Sequence, residues 1–311
     1  MPHYLVTGGY GFIGSHLVDA LLARGHRVRI LDDLSTGHVE NVQGPHEFVR
    51  GDVADTALVR QAMAGMDGCF HLAAVASVER SNQDWVGTHR INQGGSVNVF
   101  DAARTPHPRP VVYASSAAVY GDNPDLPLRE TAPHRPMTAY GADKAASEYH
   151  AGVAALVHGV STVGLRFFNV YGPRQDPRSP YSGVISIFAH RILNRLPITL
   201  FGDGGQDRDF VYVADVVTHL LAAMALCEGQ HRQAVAAVYN VCTGRSITIL
   251  ELADALFRQT GWRTEVVHAA PRAGDIRRSA GNPQAAVAAL GVAARTPLDE
   301  GLAALLESLR S

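Results

Sequence analysis

A short apolar strand runs straight into a glycine turn at the start of the chain: His3-Tyr-Leu-Val-Thr7, then Gly8-Gly-Tyr-Gly-Phe-Ile-Gly14. Ile13, Leu17 and Leu21 follow at helical spacing, so the glycines sit where a strand hands over to a helix. Glycine there permits a tight turn and lets the backbone approach a pyrophosphate at the helix N-terminus. The spacing is G-x-x-G-x-x-G over Gly8, Gly11 and Gly14. By itself such a trio is weak, because turns use glycine everywhere. Arg27-Val-Arg-Ile-Leu31 then supplies a second strand where a nucleotide-binding βαβ unit requires one, ending in Asp32-Asp33. A carboxylate at that place accepts hydrogen bonds from the adenosine ribose diol and repels a 2'-phosphate, which predicts NAD rather than NADP. A solvated turn acid is the plain alternative.

The alternation continues. Glu47-Phe-Val-Arg-Gly-Asp52 reads as a third strand and its exit, with Asp52 placed to face an adenine amino group. Cys69-Phe-His-Leu-Ala-Ala74 is a fourth strand leading into small residues that let a cofactor lie close. His71, inside that apolar run, reads as a satisfied core histidine, and no histidine spacing suggests a metal site. Residues 75–90 read as a polar insertion, and Asn92 as the start of a helix to about Arg104, facing the cofactor end. Ser161 to Phe168 is a sixth strand, so strands and helices over roughly 165 residues predict a doubly wound parallel sheet. Beyond it the pattern breaks into the proline-rich loop 173–180, a helix over Val184 to Leu196, a strand over Ile198 to Phe201, a strand at Val238, and helices at Ile247 to Thr260 and from Leu298. The expected division is a nucleotide-binding domain of residues 1–168 plus about 212–242, interleaved with a smaller mixed α/β domain of about 169–211 plus 243–311.

The chemistry centres on residues 111–144. Val111 to Ala114 is a buried strand delivering Ser115 and Ser116 at its C-terminal end, where ligands gather in open α/β sheets. Tyr140 and Lys144, at i and i+4, share one helical face. A free phenol titrates near pH ~10, and a neighbouring ammonium favours the phenolate, so Lys144 is expected to lower the Tyr140 pKa. Ser116 is placed to bond the same substrate oxygen. Alone, a Tyr and a Lys four apart mark only core and solvent contacts; the upstream glycine turn gives the pair its weight.

Composition closes off other classes. The 311 residues carry a formal charge of -2, which gives no electrostatic reason to expect nucleic acid or an anionic membrane. No run of about 18 apolar residues exists to span a bilayer. No signal-like segment precedes the first strand, and the three scattered cysteines suit a reducing compartment, so a cytoplasmic location is expected.

With Gly8, Gly11, Gly14, Asp32, Asn92, Ser116, Tyr140 and Lys144 in place, the chain resembles the extended short-chain dehydrogenase/reductases, and most of all the UDP-hexose 4-epimerases. The likeness runs through Ser115-Ser-Ala-Ala-Val-Tyr-Gly, Arg166-Phe-Phe-Asn-Val-Tyr-Gly, Phe201-Gly-Asp-Gly, Arg208-Asp-Phe-Val-Tyr-Val and Arg272-Ala-Gly-Asp. It implies a Rossmann-type NAD domain, with Phe12, Ile13, Asp33, Val53, Leu72, Ala73, Ala74 and Phe167 joining the cofactor set. It implies Tyr140 as base toward the sugar 4-hydroxyl, Lys144 as its charged neighbour and Ser116 orienting the 4-oxygen. On the substrate side it implies Arg208 and Arg272 on the diphosphate, Asn169 and Val184 beside phosphate or sugar, Thr199, Leu200 and Phe201 around uracil, and Asp275 on the ribose. Ser279 stands where related enzymes carry a bulky tyrosine that crowds out a 2-acetamido group, so N-acetylated sugars are expected to be admitted. Relatives that dehydrate or decarboxylate carry acid/base residues where Ala117 and Ala118 stand here. Ala76 and Ser77 fall where some epimerases place a lysine near the pyrophosphate, and Asp143 replaces the usual hydroxyl residue before Lys144, where it could pair with that lysine. The resemblance also implies a homodimer packed through helices at about 92–104 and 140–159.

Overall fold

The computed structural model describes residues 1–177, 183–229, 233–271 and 276–310. Arg272 and Asp275 lie outside the described residues, as does part of the 173–180 loop. In chain order β1 (His3–Thr7), α1 (Phe12–Ala23), β2 (Arg27–Asp32), β3 (Glu47–Arg50), α2 (Thr56–Met63) and β4 (Gly68–His71) come first. Then come α3 (Val78–Gln83), α4 (Trp85–His89), α5 (Gly95–Ala103), β5 (Val111–Ser116), α6 (Ala139–His158) and β6 (Thr162–Phe167). Past β6 lie β7 (Asn169–Tyr171), α7 (Val184–Leu193), β8 (Ile198–Phe201), β9 (Asp207–Arg208), β10 (Phe210–Tyr212), α8 (Val213–Glu228) and β11 (Ala236–Val241). The described chain finishes with β12 (Ile247–Thr248), α9 (Ile249–Thr260), β13 (Val266–Ala269), α10 (Gln284–Leu290) and α11 (Leu298–Ser308).

Seven strands pair in parallel in the order β11-β6-β5-β4-β1-β2-β3. Side chains of a strand alternate between faces. In β1, Tyr4 and Val6 pack with Leu17, Val18, Val216 and Leu220 of α1 and α8, while Leu5 packs with Val59, Val99 and Ala151 of α2, α5 and α6. Burial on both faces is why these strands read as continuous apolar runs. The order reverses between β1 and β4, and the crevice at such a reversal, outside the strands' C-terminal ends, is where open α/β sheets hold ligands.

The smaller lobe has a core of its own, in which Ile185, Phe188, Leu200, Leu252, Leu256 and Leu302 pack α7, β8, α9 and α11 together. α9 begins later than its apolar periodicity suggests. Ile247 and Thr248 pair with β9, and Thr248 and Glu251 close a capping box. α7 stops short of Leu196, with Arg195 at a positive φ of 56°.

Residues 75–90, read as a polar insertion, fold as two short helices. Ser77 accepts from Arg80 N–H to cap α3, and Asp84 accepts from Gly87 N–H to cap α4. Asn92 therefore does not open a helix: it sits in the π turn Arg90–Gly94 that joins α4 to α5. Cys69, Cys227 and Cys242 are buried free thiols, and no described helix is long and apolar enough to cross a membrane.

Candidate active site

A cavity of about 440 Å³ lies across the C-terminal ends of the strands, walled by both lobes. Its nucleotide end is shaped for a group that must come close to backbone. Gly8 has φ +70°, and a Cβ there would stand 2.8 Å from Ala73 N; one on Gly14 would stand 2.0 Å from Gly8 O. Only glycine fits either place. Phe12, Ile13 and Gly11 complete that wall, with Leu72, Ala73 and Ala74 opposite. Asp32 Oδ2 accepts from Tyr10 N–H at 3.0 Å and Oδ1 from Leu34 N–H at 2.8 Å. Burial raises its pKa above the usual carboxylate value, and those two donors oppose the rise. Asp33, Asp52 and Val53 line the same end; Asp52 holds Arg90 at 3.0 Å.

The strand exit at 72–74 is held by an inner chain of hydrogen bonds. Thr7 Oγ1 accepts from Leu72 and Ala73 N–H, so its own proton goes to His71 Nδ1, 2.8 Å away. That leaves His71 Nε2 to donate to Ser96 Oγ at 3.2 Å. Burial first, then the Lys144 charge, brings the His71 pKa down to about 3, so the ring is neutral. Asn92 holds the next residue: its Oδ1 accepts from Val75 N–H at 2.8 Å and its Nδ2 donates to Val75 O at 3.1 Å. Asn92 is buried and does not line the cavity, contrary to its expected place at the cofactor.

Ser116, Tyr140 and Lys144 line the other end with Phe167, Asn169 and Val184. Only one of the paired serines serves the tyrosine. Ser116 hydrogen-bonds the Tyr140 phenol, whereas Ser115 donates to Glu148, which is paired with buried Arg166. Burial is the larger effect and leaves the Tyr140 pKa above its ordinary value, with the Ser116 bond opposing the rise; Lys144, expected to lower it, is not among the groups that shift it. Lys144 Nζ donates to Ala114 O at 2.8 Å and lies 5.7 Å from the tyrosine ring centre. Its pKa is drawn down to about 8 by burial, against Asp143 and Glu148, which raise it. Asp143 does not pair with Lys144; its Oδ1 meets His89 Nδ1 at 2.7 Å.

Thr199, Leu200, Phe201, Arg208 and Ser279 do not line this cavity. Leu200 is buried in the small-lobe core, and Arg208 sits on β9, antiparallel to β12. Ser279 donates its N–H to Asp207 Oδ1 beside Arg208. The cavity also has walls that motif reading passed over: Ser35, Thr36, Arg80, Gln175 and Phe210. Arg80 lies four residues beyond Ala76 in sequence, and that nearness was the available signal.

The profile of the NAD dependent epimerase/dehydratase family matches residues 4–242. A UDP-glucose 4-epimerase of Mycolicibacterium smegmatis is 38% identical over 99% of this chain and 98% of its own. Among solved structures, Thermus thermophilus UDP-glucose 4-epimerase in complex with NAD is 40% identical, with TM-score 0.90 over 99% of each chain. Thermotoga maritima UDP-glucose 4-epimerase with UDP-glucose superposes with TM-score 0.93 at 35% identity, over 99% of this chain and 98% of that one. A UDP-N-acetylglucosamine 4-epimerase of Methanobrevibacter ruminantium, in complex with UDP-N-acetylmuramic acid, gives TM-score 0.93 at 33% identity over the same shares. The glycine cradle and the Asp32 end fit a dinucleotide, and the chain belongs to the NAD-dependent epimerase/dehydratase family, as an enzyme of its UDP-glucose 4-epimerase type with NAD as cofactor.

Proposed function

We propose that the protein interconverts UDP-glucose and UDP-galactose, and with them UDP-N-acetylglucosamine and UDP-N-acetylgalactosamine, through a transient 4-keto sugar. The observation that carries this reading is the meeting of Ser116, Tyr140 and Lys144 at one end of a cavity whose other end is cut for a dinucleotide. Bound NAD supplies a hydride acceptor and donor at the sugar C4. Tyr140 takes the proton of the 4-hydroxyl and gives it back. Ser116 holds the 4-oxygen and the phenol together. The Lys144 ammonium favours the phenolate through space, since its direct bond goes to Ala114 O. Asn169 and Val184 stand where the sugar or its phosphates would pass. Arg208 with Arg272 would bind the diphosphate, Thr199 to Phe201 the uracil, and Asp275 the ribose. By the family resemblance, the small Ser279 would admit a 2-acetamido group once it met the sugar.

Ala117 and Ala118 follow Ser116 in a 3-10 turn and transfer no protons, which argues against water elimination or decarboxylation. We assign NAD binding to residues 1–168 with about 212–242, and sugar-nucleotide binding to the remainder. A homodimer in a reducing cytosol completes the reading. The apolar exposure that supports a dimer is on α6, at Tyr149, Val153, Leu156 and Val157, with Trp85 and Val86 on α4; α5 exposes no large apolar side chain.

The test is to incubate the protein separately with UDP-glucose and UDP-N-acetylglucosamine and follow the anomeric protons by NMR. Each is expected to give its 4-epimer without added NAD and without net NADH. A 4-keto-6-deoxy product, or a pentose from a uronic acid, would replace this reading by an eliminating or decarboxylating one.

A further inference from the structure

Among the described residues lining the cavity, only Lys144 and Arg80 are basic. Lys144 is spent on the Ala114 carbonyl beside the tyrosine. Other arginines nearby are engaged, Arg90 with Asp52 at 3.0 Å and Arg174 with Asp19 at 2.7 Å. The Arg80 guanidinium has no hydrogen bond or ion pair. It is half-buried against a cavity with three carboxylates, Asp32, Asp33 and Asp52, and it reaches none of them.

Its helix is held at both ends of the short run. Ser77 accepts from the Arg80 backbone N–H at 3.0 Å, and Ser81 accepts from Tyr140 N–H at 3.3 Å. Arg80 lines the cavity together with Val75 and Ala76, the residues that lead into its helix. That stretch continues the 72–74 exit, and Ala73 N packs within 2.8 Å of where a Gly8 Cβ would stand. The unpaired cation and the glycine turn therefore line one cavity, with the 72–76 stretch beside both.

We propose that Arg80 binds the pyrophosphate of the dinucleotide, together with the backbone donors of the glycine turn. The first turn of α1 has no side chain that can serve, since Phe12, Ile13, Gly14 and Ser15 carry no charge. Arg80 brings a planar fork of donors matched to phosphate oxygens. It takes over from α3 a charge that Ala76 and Ser77 do not offer. The inference rests on NAD occupying this cavity and is independent of which sugar is turned over.

Wild type, Arg80→Gln and Arg80→Lys are to be compared for NAD content as purified, and for affinity toward NAD, ADP-ribose and UDP by titration calorimetry at two salt concentrations. The expected result is that Arg80→Gln weakens NAD and ADP-ribose together by about tenfold or more, the scale of a lost charge-assisted hydrogen bond. Arg80→Lys should recover part of it, UDP affinity should hold, and the salt dependence of NAD binding should flatten in the Gln variant. NAD affinity unchanged in Arg80→Gln overturns the proposal. So does a loss confined to UDP, which would put Arg80 on the substrate diphosphate. A fall for all three ligands with a lowered melting temperature would make Arg80 structural and overturn it equally.

Discussion

Lys144 keeps an ammonium where water scarcely reaches, and the consequences can be signed. Its pKa of about 8 lies below the ordinary lysine value of 10.5, so the folded protein releases this proton before the unfolded chain does. Activity that needs the charge is present below pH 8 and fades as pH rises through it, and kcat/KM, which reports the free enzyme, is expected to fall on that limb. A profile flat to pH 10 would remove Lys144 from the mechanism. Stability runs the other way: between about pH 8 and 10.5 the unfolded chain binds more protons, so stability rises with pH, and below pH 8 the cost of burying the charge is present in full. Lys144→Met should therefore be more stable than wild type toward urea at pH 7, by no more than about 3 kcal/mol, with the gain shrinking toward pH 10 while turnover is lost. Tyr140→Phe should lower kcat by about 10²–10⁴-fold and leave NAD and UDP-sugar affinity intact. Affinity lost with turnover would make the phenol structural. These residues were legible because a helix sets i and i+4 on one face and a strand end delivers Ser116. What Lys144 bonds was not, because Ala114 O belongs to another element.

Among elements, the stretch from Val75 to Gly94 was the hardest to read. Ser77 and Asp84 are loop-type residues by composition, yet both are helix caps, and periodicity is silent about caps inside short helices. The strands were legible because burial on two faces leaves uninterrupted apolar runs. Asn92 was expected to start a helix and face the cofactor, but its partners are backbone groups of Val75, seventeen residues away in sequence. Asn92→Ala leaves that N–H and C=O without partners, at about 1–3 kcal/mol each. The urea midpoint should fall, and NAD affinity with it, because the 72–76 wall loses its tether. Reduced NAD affinity at unchanged stability would instead point to Asn92 touching the cofactor directly. His89 and Asp143 make a second cross-element pair, between α4 and α6, that no local pattern announces.

At the scale of the whole molecule, α6 carries Tyr140 and Lys144 on its inner face and an unpartnered apolar row outside, with Leu156 at 88% exposure. Substituting both Val153 and Leu156 by Glu should convert the proposed dimer to a monomer in sedimentation velocity while NAD stays bound. A wild-type monomer, or a double variant of unchanged size, would end the dimer proposal. The interleaving of the lobes was partly legible, since apolar strand patterns return near Val238 after an irregular interval. Which strand β11 joins was not, because parallel pairing leaves no local trace. That pairing bears on how the chain is made. A ribosome finishes β6 while its neighbour β11 is still untranslated, and every smaller-lobe element from β7 to β10 emerges between them. Through that interval the nascent sheet presents a row of unpaired N–H and C=O groups, the kind of edge that recruits stray strands. A chain halted short of Ala236 is thus expected to depend on a holding chaperone, and the last strand of the nucleotide-binding sheet arrives only after much of its companion lobe has been born.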